Sequence, residues 1–172
     1  MRKVPTCLHL KFAILNFFGD RFSSAGVTLP AKLEVLPVTE VCLGCICQAI
    51  SGCKQGLTCE GDTCGLFRIT WAYWSDAGKP TINNLAPDHP DGNCVVDPYC
   101  AAQTVQGYMR RFGQDCNGDG QVNCYDHMAI HKKGGYGCSG DLPFEYYIYL
   151  KLNFNSAIKR NNILRKNIYS MF

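Results

Sequence analysis

Residues 41–53 have the sequence VCLGCICQAISGC, in which helical periodicity coincides with closely spaced cysteines. Apolar side chains recur at roughly helical spacing, at Val41, Cys45, Ile46, Ala49 and Ile50. Gly52 follows the last of them, and a glycine commonly ends a helix. The stretch therefore predicts a short helix over residues 41–53.

The cysteines are concentrated in the middle of the chain. Of twelve cysteines, eleven lie between Cys42 and Cys138. This density indicates an oxidising compartment and a disulfide framework. A zinc site is the alternative, but a structural zinc site usually needs a second matched pair of ligands, and the sequence has no second Cys-x-x-Cys. Because eleven is odd, one of these cysteines is free or has a partner outside the block, where Cys7 is the only other cysteine.

Length and charge limit the class of protein. The chain has 172 residues, which is a one-domain length, and a net charge of +3. So small a charge gives no argument for nucleic-acid binding, although it favours contact with anionic surfaces such as bacterial walls. No apolar run approaches the length of a membrane span. We expect a monomer.

The two ends of the chain differ in composition from the middle. Residues 1–25 are predicted to be a signal peptide, because a positive start precedes a short apolar segment and small residues. Residues 26–40 are predicted to be a linker, 41–140 the domain and 141–172 a C-terminal tail. The tail is either an amphipathic helix that binds an anionic membrane or wall, or a disordered or mis-predicted segment. The odd cysteine count favours the second alternative.

The middle of the chain alternates helix and turn signals. Residues 54–70 predict a small β-hairpin, and an aromatic cluster at 71–74 begins a short helix. Prolines, asparagines and glycine mark residues 77–94 as a long loop. An aspartate N-cap and a proline open the clearest helix, over 97–112, and a further helix is expected over 123–133. Helices surrounding one small hairpin make an α+β domain.

Seven short motifs occur along this region in one order. They are CLGCIC (42–47), SGC (51–53), CGLFRI (64–69), YWSDAGKP (73–80), TVQGYM (104–109), DCNGDG (115–120) and GGYGC (134–138). Together with His131, these segments resemble the invertebrate-type lysozyme family, which includes destabilase. The resemblance covers roughly residues 41–140.

The resemblance implies a lysozyme-like fold, in which a helical body and a small β element lie beside a glycan cleft. It also implies a secreted, extracellular protein that acts on peptidoglycan or a related glycan and needs no cofactor. Some relatives carry a further cysteine pair at positions matching Ala77 and Thr104, and both cysteines are absent here. The implied disulfides are Cys47–Cys53, Cys59–Cys64, Cys94–Cys100 and Cys42–Cys124.

Lysozyme chemistry needs one carboxyl group that protonates the glycosidic oxygen and a second that attacks or stabilises the sugar. The family's acid lies just before the Ser-Gly-Cys motif, where this chain has Ile50, and the nearby position 48 is Gln48. Neither side chain can donate that proton. Asp62 matches the second carboxyl best, and Glu60, in the same hairpin, is the other candidate and could be the acid. Both could instead be solvated turn residues.

Three functions follow from the resemblance. The first is a lysozyme-type glycoside hydrolase that cuts the β-1,4 links between N-acetylmuramic acid and N-acetylglucosamine, in antibacterial defence or digestion. The alternative is a glycan-binding relative that has lost its general acid. The third is an isopeptidase, in which Thr63 and His131 would be nucleophile and base, with Thr70 at the position of a lysine.

Two further groups of residues are candidate binding sites. Residues 115–126 have the spacing of a calcium-binding loop, which predicts that their side-chain oxygens bind calcium. An Asx-rich turn before the last helix is the alternative explanation of the same residues. Three aromatic residues are candidates for stacking on sugar rings, and core packing is the alternative for all but one of them. The aromatic residues are Trp71, Tyr73 and Trp74. The calcium candidates are Asp115, Asn117, Asp119, Gln121, Asn123 and Asp126.

Overall fold

The structure is a computed structural model that describes residues 36–54, 56, 58–82 and 92–151. The predicted signal peptide, most of the predicted linker and residues 152–172 of the predicted tail lie outside the described residues. Residues 83–91 of the predicted loop also lie outside them.

Helices and one small sheet make up the described chain, which confirms the α+β class. The helices are α1 (Glu40–Ser51), α2 (Trp71–Asp76), α3 (Gly92–Val96), α4 (Pro98–Phe112), α5 (Cys124–Lys133) and α6 (144–151). The strands are β1 (Cys59–Glu60), β2 (Thr63–Cys64) and β3 (Ile69–Thr70). Helix α1 packs against α5, and α4 packs against α2, α3 and α5.

Helix α1 has a defined cap at each end. The side chain of Thr39 accepts a hydrogen bond from the Cys42 N–H at the first turn. Gly52 ends the helix with φ at +71°, a left-handed conformation that costs glycine little. Between the caps, all residues from 42 to 47 are buried. These caps and this burial place the end of α1, with Ile50 and Ser51, beside the sheet.

The sheet is antiparallel, with the strands in the order β1-β2-β3. Glu60 pairs with Thr63 across a two-residue turn, and Thr63 pairs in turn with Thr70. Gly61 opens this turn with φ at +56°. The prediction of a hairpin over 54–70 was incomplete, because residues 69–70 form a third strand of the sheet. The third strand forms through its pairing with β2, which local sequence signals do not reveal.

One helix departs from the predicted pattern, whereas the two longer helices that follow it begin as predicted. Helix α3 begins at Gly92, inside the segment that was predicted to be loop up to residue 94. Helix α4 begins as predicted, with the Asp97 side chain accepting from the Cys100 N–H at 2.8 Å. Helix α5 begins with a capping box. The Asn123 side chain accepts a hydrogen bond from the backbone of the first turn, and the Asp126 carboxylate accepts one from the Asn123 N–H.

The folded unit extends beyond the predicted limits of 41–140. On the N-terminal side, the buried amide of Gln106 bonds both the N–H and the carbonyl of Val38, at 3.0 and 2.7 Å. On the C-terminal side, Leu142 and two residues of α6, Tyr146 and Leu150, are buried in the core. Residues 144–151 are therefore a packed helix that belongs to the domain.

Five disulfides cross-link the domain. The four pairs that the family resemblance implied are all formed, and a fifth joins Cys116 to Cys138. Among the described residues the free cysteine is Cys45, which is buried inside α1. A buried free cysteine packs as a small apolar side chain, so the odd cysteine of the dense block needs no lost partner.

The described residues contain no helix that is both long enough and apolar enough to cross a lipid bilayer.

Candidate functional site

The position that the family resemblance assigns to the acid, residue 50, lies in the last turn of α1. Ile50 is partly buried there and packs against the core. The next residue, Ser51, donates its hydroxyl to the Leu66 carbonyl at 2.5 Å, which ties the end of α1 to the loop after β2. Gln48 is also partly buried. The end of α1 therefore presents a hydrocarbon side chain and an amide, neither of which is an acid.

The two candidate carboxyl groups lie on the hairpin. Glu60 is at the end of β1, and Asp62 is in the turn that follows it, with both residues exposed. The Glu60 carboxylate forms an ion pair with the Arg68 guanidinium at 2.6 Å, although 72% of the glutamate side chain remains exposed. Arg68 holds this position from a left-handed backbone conformation, with φ at +51°.

Arg68 was not among the residues predicted for the site. Arg68 lies eight positions after Glu60, and strand β2 lies between them in the sequence. The two residues therefore belong to different elements, and no periodicity within one element links them. One of its guanidinium nitrogens, Nη1, is buried without a hydrogen-bond partner. Arg68 therefore fixes the Glu60 carboxylate at the surface of the hairpin.

His131 lies at the centre of a partly buried hydrogen-bond network. Its Nε2 is 2.9 Å from the Phe67 carbonyl, and its Nδ1 is 3.0 Å from the Tyr73 hydroxyl. A carbonyl can only accept, so Nε2 carries the proton and Nδ1 accepts from Tyr73. Burial lowers the pKa of His131 to about 4 and raises the pKa of Tyr73. Tyr73 also stacks on Tyr108, with ring centroids 3.7 Å apart.

The residues proposed for an isopeptidase have other partners. The Thr63 hydroxyl donates to the Glu60 carbonyl at 3.2 Å, on the exposed side of the hairpin. The Thr70 hydroxyl caps α2 by accepting from the Tyr73 N–H. The ring nitrogens of His131 are bonded to Phe67 and Tyr73, so the structure does not bring Thr63 and His131 together.

The His131 network predicts a stability that depends on pH. The unfolded chain protonates this histidine near pH 6.5, whereas the folded protein does so only near pH 4. Between these values the unfolded state binds more protons, so the free energy of unfolding should fall by about 3 kcal/mol as the pH drops through this window. Denaturant unfolding at pH 7.5 and at pH 4 measures the change.

The matched control is His131→Gln, which cannot titrate. This variant keeps His127, whose pKa is also lowered by burial, so the difference between the two pH profiles isolates His131. Equal pH dependence in both proteins would contradict the assignment.

The candidate calcium loop is held by its own backbone. The Asp115 carboxylate accepts hydrogen bonds from Gly118, Asp119 and Gly120, and these bonds lower its pKa. Asp126, the twelfth residue of the pattern, is buried and accepts from the Cys116 and Asn123 N–H groups, both at 2.8 Å. No group of three or more His, Cys, Asp or Glu side chains in the described residues could hold a metal ion.

The remaining candidate calcium ligands lie on the exposed part of the loop, where amides bond the Asp119 carboxylate. Asn117 Nδ2 lies 3.0 Å from Asp119 Oδ2, and Asn123 Nδ2 lies 3.4 Å from the same oxygen. The backbone of Gln121 donates to the other Asp119 oxygen at 2.9 Å. Calcium binding stays a prediction, which calorimetric titration of the protein with calcium tests.

The three candidate sugar-binding rings have different environments. Trp74 is buried and donates its indole N–H to the Pro80 carbonyl at 2.8 Å. Tyr73 is part of the His131 network. Trp71 is 71% exposed, and the Lys79 ammonium lies 5.9 Å from the centroid of its ring. Of the three, Trp71 is the ring that is available to a ligand.

A family model described as Destabilase matches residues 39–152. The chain belongs to the destabilase family. A lysozyme of Magallana gigas is 33% identical to this destabilase-family chain over 116 residues, which are 64% of the chain and 76% of the relative. Invertebrate-type lysozyme 3 of Caenorhabditis elegans is 34% identical over 110 residues, 60% of the chain and 78% of the relative.

Solved structures of lysozymes are also similar to this destabilase-family chain. Tapes japonica lysozyme is 30% identical, with a TM-score of 0.48, over 67% of this chain and 88% of its own. Meretrix lusoria lysozyme, in a complex with Aeromonas hydrophila PliI, is 31% identical, with a TM-score of 0.49, over 62% and 82%. The family model and the sequence relatives confirm the resemblance to the invertebrate-type lysozymes, and they support a family of lysozyme-type glycoside hydrolases.

Proposed function

We propose that this chain is a secreted protein that binds bacterial peptidoglycan and that it lacks the glycosidase step of its relatives. The single observation that carries the proposal is Ile50 in the last turn of α1, at the position of the family's acid. A hydrocarbon cannot protonate the glycosidic oxygen, and general acid catalysis typically contributes about 10²–10⁴-fold to the rate.

The geometry of the hairpin supports the absence of a substitute acid. A glycosidase holds its two carboxyl groups on either side of the scissile bond. Glu60 and Asp62 are instead two residues apart, at one end of the same hairpin. Glu60 is also ion-paired with Arg68 and mostly exposed, unlike the apolar surroundings in which a lysozyme holds its acid.

Secretion and a role at the bacterial wall are parts of the same proposal. Five disulfides among the described residues suit an oxidising, extracellular compartment. Relatives named lysozyme support peptidoglycan as the ligand, in defence or in digestion. The isopeptidase is less favoured, because both ring nitrogens of His131 are already bonded.

The proposal predicts a gain of function in Ile50→Glu. Wild-type protein should sediment with purified peptidoglycan and release no reducing sugar. The new carboxyl group would lie at the acid position, partly buried against the core, and should create measurable release of reducing ends. A reducing-end assay beside a sedimentation assay measures both properties in one preparation.

The matched control is Ile50→Gln, which has nearly the same shape as the glutamate variant but cannot donate a proton. It should bind and remain inert, and thermal unfolding should show that both variants fold. Release of reducing sugar by the wild-type protein would contradict the proposal and establish a hydrolase. In that case the loss of activity in a Glu60→Ala, Asp62→Ala double variant would place its carboxyl groups on the hairpin.

A further inference from the structure

An exposed aromatic ring and a lysine form a pair at the edge of the sheet. Trp71 follows β3 directly and is among the most exposed large apolar side chains of the described chain. The Lys79 ammonium lies 5.9 Å from the centroid of its ring. This distance is near the outer limit of a cation–π contact, so the ammonium can turn towards a ligand at little cost. Within the part of the chain that the structure describes, the ion pairs join Arg68 to Glu60 and Arg111 to Asp76, and neither involves Lys79.

The backbone around this pair is held by the core. The N–H of Lys79 donates to the carbonyl of Trp74 at 3.1 Å, and the indole of Trp74 bonds the carbonyl of Pro80 from its buried position. Lys79 itself has φ at +53°, in the left-handed region. At the other end of α2, Thr70 caps the helix beside Trp71. Both members of the pair therefore project from a fixed framework.

The pair lies close to the hairpin that carries the candidate carboxyl groups. Thr70, the neighbour of Trp71, pairs with Thr63, and Thr63 pairs with Glu60. Two strand spacings separate Thr70 from Glu60, which is roughly 10 Å across the sheet. One oligosaccharide could therefore contact the hairpin and the Trp71–Lys79 pair together.

We propose that Trp71 and Lys79 form a subsite that selects an acidic amino sugar over a neutral one. The indole would stack on the apolar face of the sugar ring, and the ammonium would bind a carboxylate that the sugar carries. In peptidoglycan such a carboxylate belongs to the lactyl group or to the stem peptide. The inference rests on the proposed function, because it assumes a wall glycan as the ligand, and it adds the chemical group that is recognised.

The test uses three soluble fragments of equal sugar length. They are the N-acetylglucosamine–N-acetylmuramic acid disaccharide with a free lactyl carboxylate, the same disaccharide with its stem peptide, and neutral N,N′-diacetylchitobiose (chitobiose). Titration of the full chain is followed by NMR, where the indole N–H of Trp71 is separate from that of buried Trp74. Wild-type protein should bind at least one acidic fragment about fivefold more tightly than chitobiose, and the tighter fragment identifies the source of the carboxylate.

Three variants separate stacking from charge. Trp71→Ala should weaken binding of every fragment by roughly tenfold. Lys79→Asn should remove the preference for acidic fragments and leave chitobiose binding unchanged, because asparagine tolerates the left-handed backbone. Lys79→Arg should restore the preference. The control pair is Tyr147 with Lys151, whose ammonium lies 4.9 Å from the tyrosine ring centroid, so Tyr147→Ala and Lys151→Asn should change nothing.

The outcomes distinguish the subsite from the proposed function. Equal affinity of the wild-type protein for acidic and neutral fragments overturns the subsite, even when the protein sediments with peptidoglycan. Failure to sediment overturns the proposed function, and the fragment titration still decides the subsite. Binding of anionic phospholipid vesicles that is lost in Trp71→Ala, without binding of any fragment, would assign the pair to a membrane surface instead.

Discussion

Replacing both Cys42 and Cys124 by alanine is expected to lower the free energy of unfolding by about 4 kcal/mol. This disulfide joins α1 to α5 across 82 residues of sequence, the longest of the five separations. A cross-link that closes a long loop removes many conformations from the unfolded chain, so its loss stabilises the unfolded state most. Chemical denaturation of the variant and the parent protein, under conditions that keep the other disulfides oxidised, measures the difference.

The control for this prediction is the shortest disulfide of the domain. Cys59 and Cys64 are five positions apart, so replacing both with alanine should cost about 2 kcal/mol in the same entropic model. Equal losses from the two double variants would show that chain entropy does not set the contribution of these cross-links.

Gly65→Ala is expected to destabilise the protein by about 3–5 kcal/mol. Gly65 follows β2 with φ at +68°, and a Cβ added there would lie 1.9 Å from the carbonyl oxygen of Val95. That oxygen belongs to the backbone of α3, so a side-chain rotation cannot relieve the clash. Thermal unfolding should show a lower midpoint, and the hairpin signals in an NMR spectrum should shift.

Gly61→Ala separates the clash from the backbone strain. Gly61 has a similar φ of +56°, but a Cβ added there would have no neighbour within 4 Å. Its substitution should therefore cost only the left-handed backbone penalty, about 1–2 kcal/mol. A loss in Gly65→Ala no larger than in Gly61→Ala would mean that α3 moves aside freely and does not support the hairpin.

The elements that the sequence predicts well are those with strong local signals. Periodicity and capping residues predict α1, α4 and α5, whose caps are Thr39, Asp97 and Asn123. The family resemblance supplies four disulfides, which periodicity could not pair. It also assigns the acid position to Ile50 through the Ser-Gly-Cys motif, and this assignment stays a prediction.

The features that the sequence does not predict depend on contacts between distant residues. Gln106 binds the backbone of Val38 across 68 positions, and no local pattern marks either residue as a partner. Strand β3 exists because β2 lies beside it, and α6 packs because the core offers it an apolar surface. The Glu60–Arg68 ion pair likewise arises from the turn between two strands. For the candidate site, the sequence offers candidate residues, but it predicts neither Arg68 nor the partners of those residues.

The enclosed thiol of Cys45 has a consequence for how the protein survives heating. In the folded state it is buried between Cys42 and Cys47, both of which are bonded to other cysteines. Once the chain opens, the same sulfur becomes an accessible thiol next to two disulfides with which it can exchange. Scrambled isomers would then accumulate, so the lifetime of the folded protein at raised temperature depends on how rarely α1 opens.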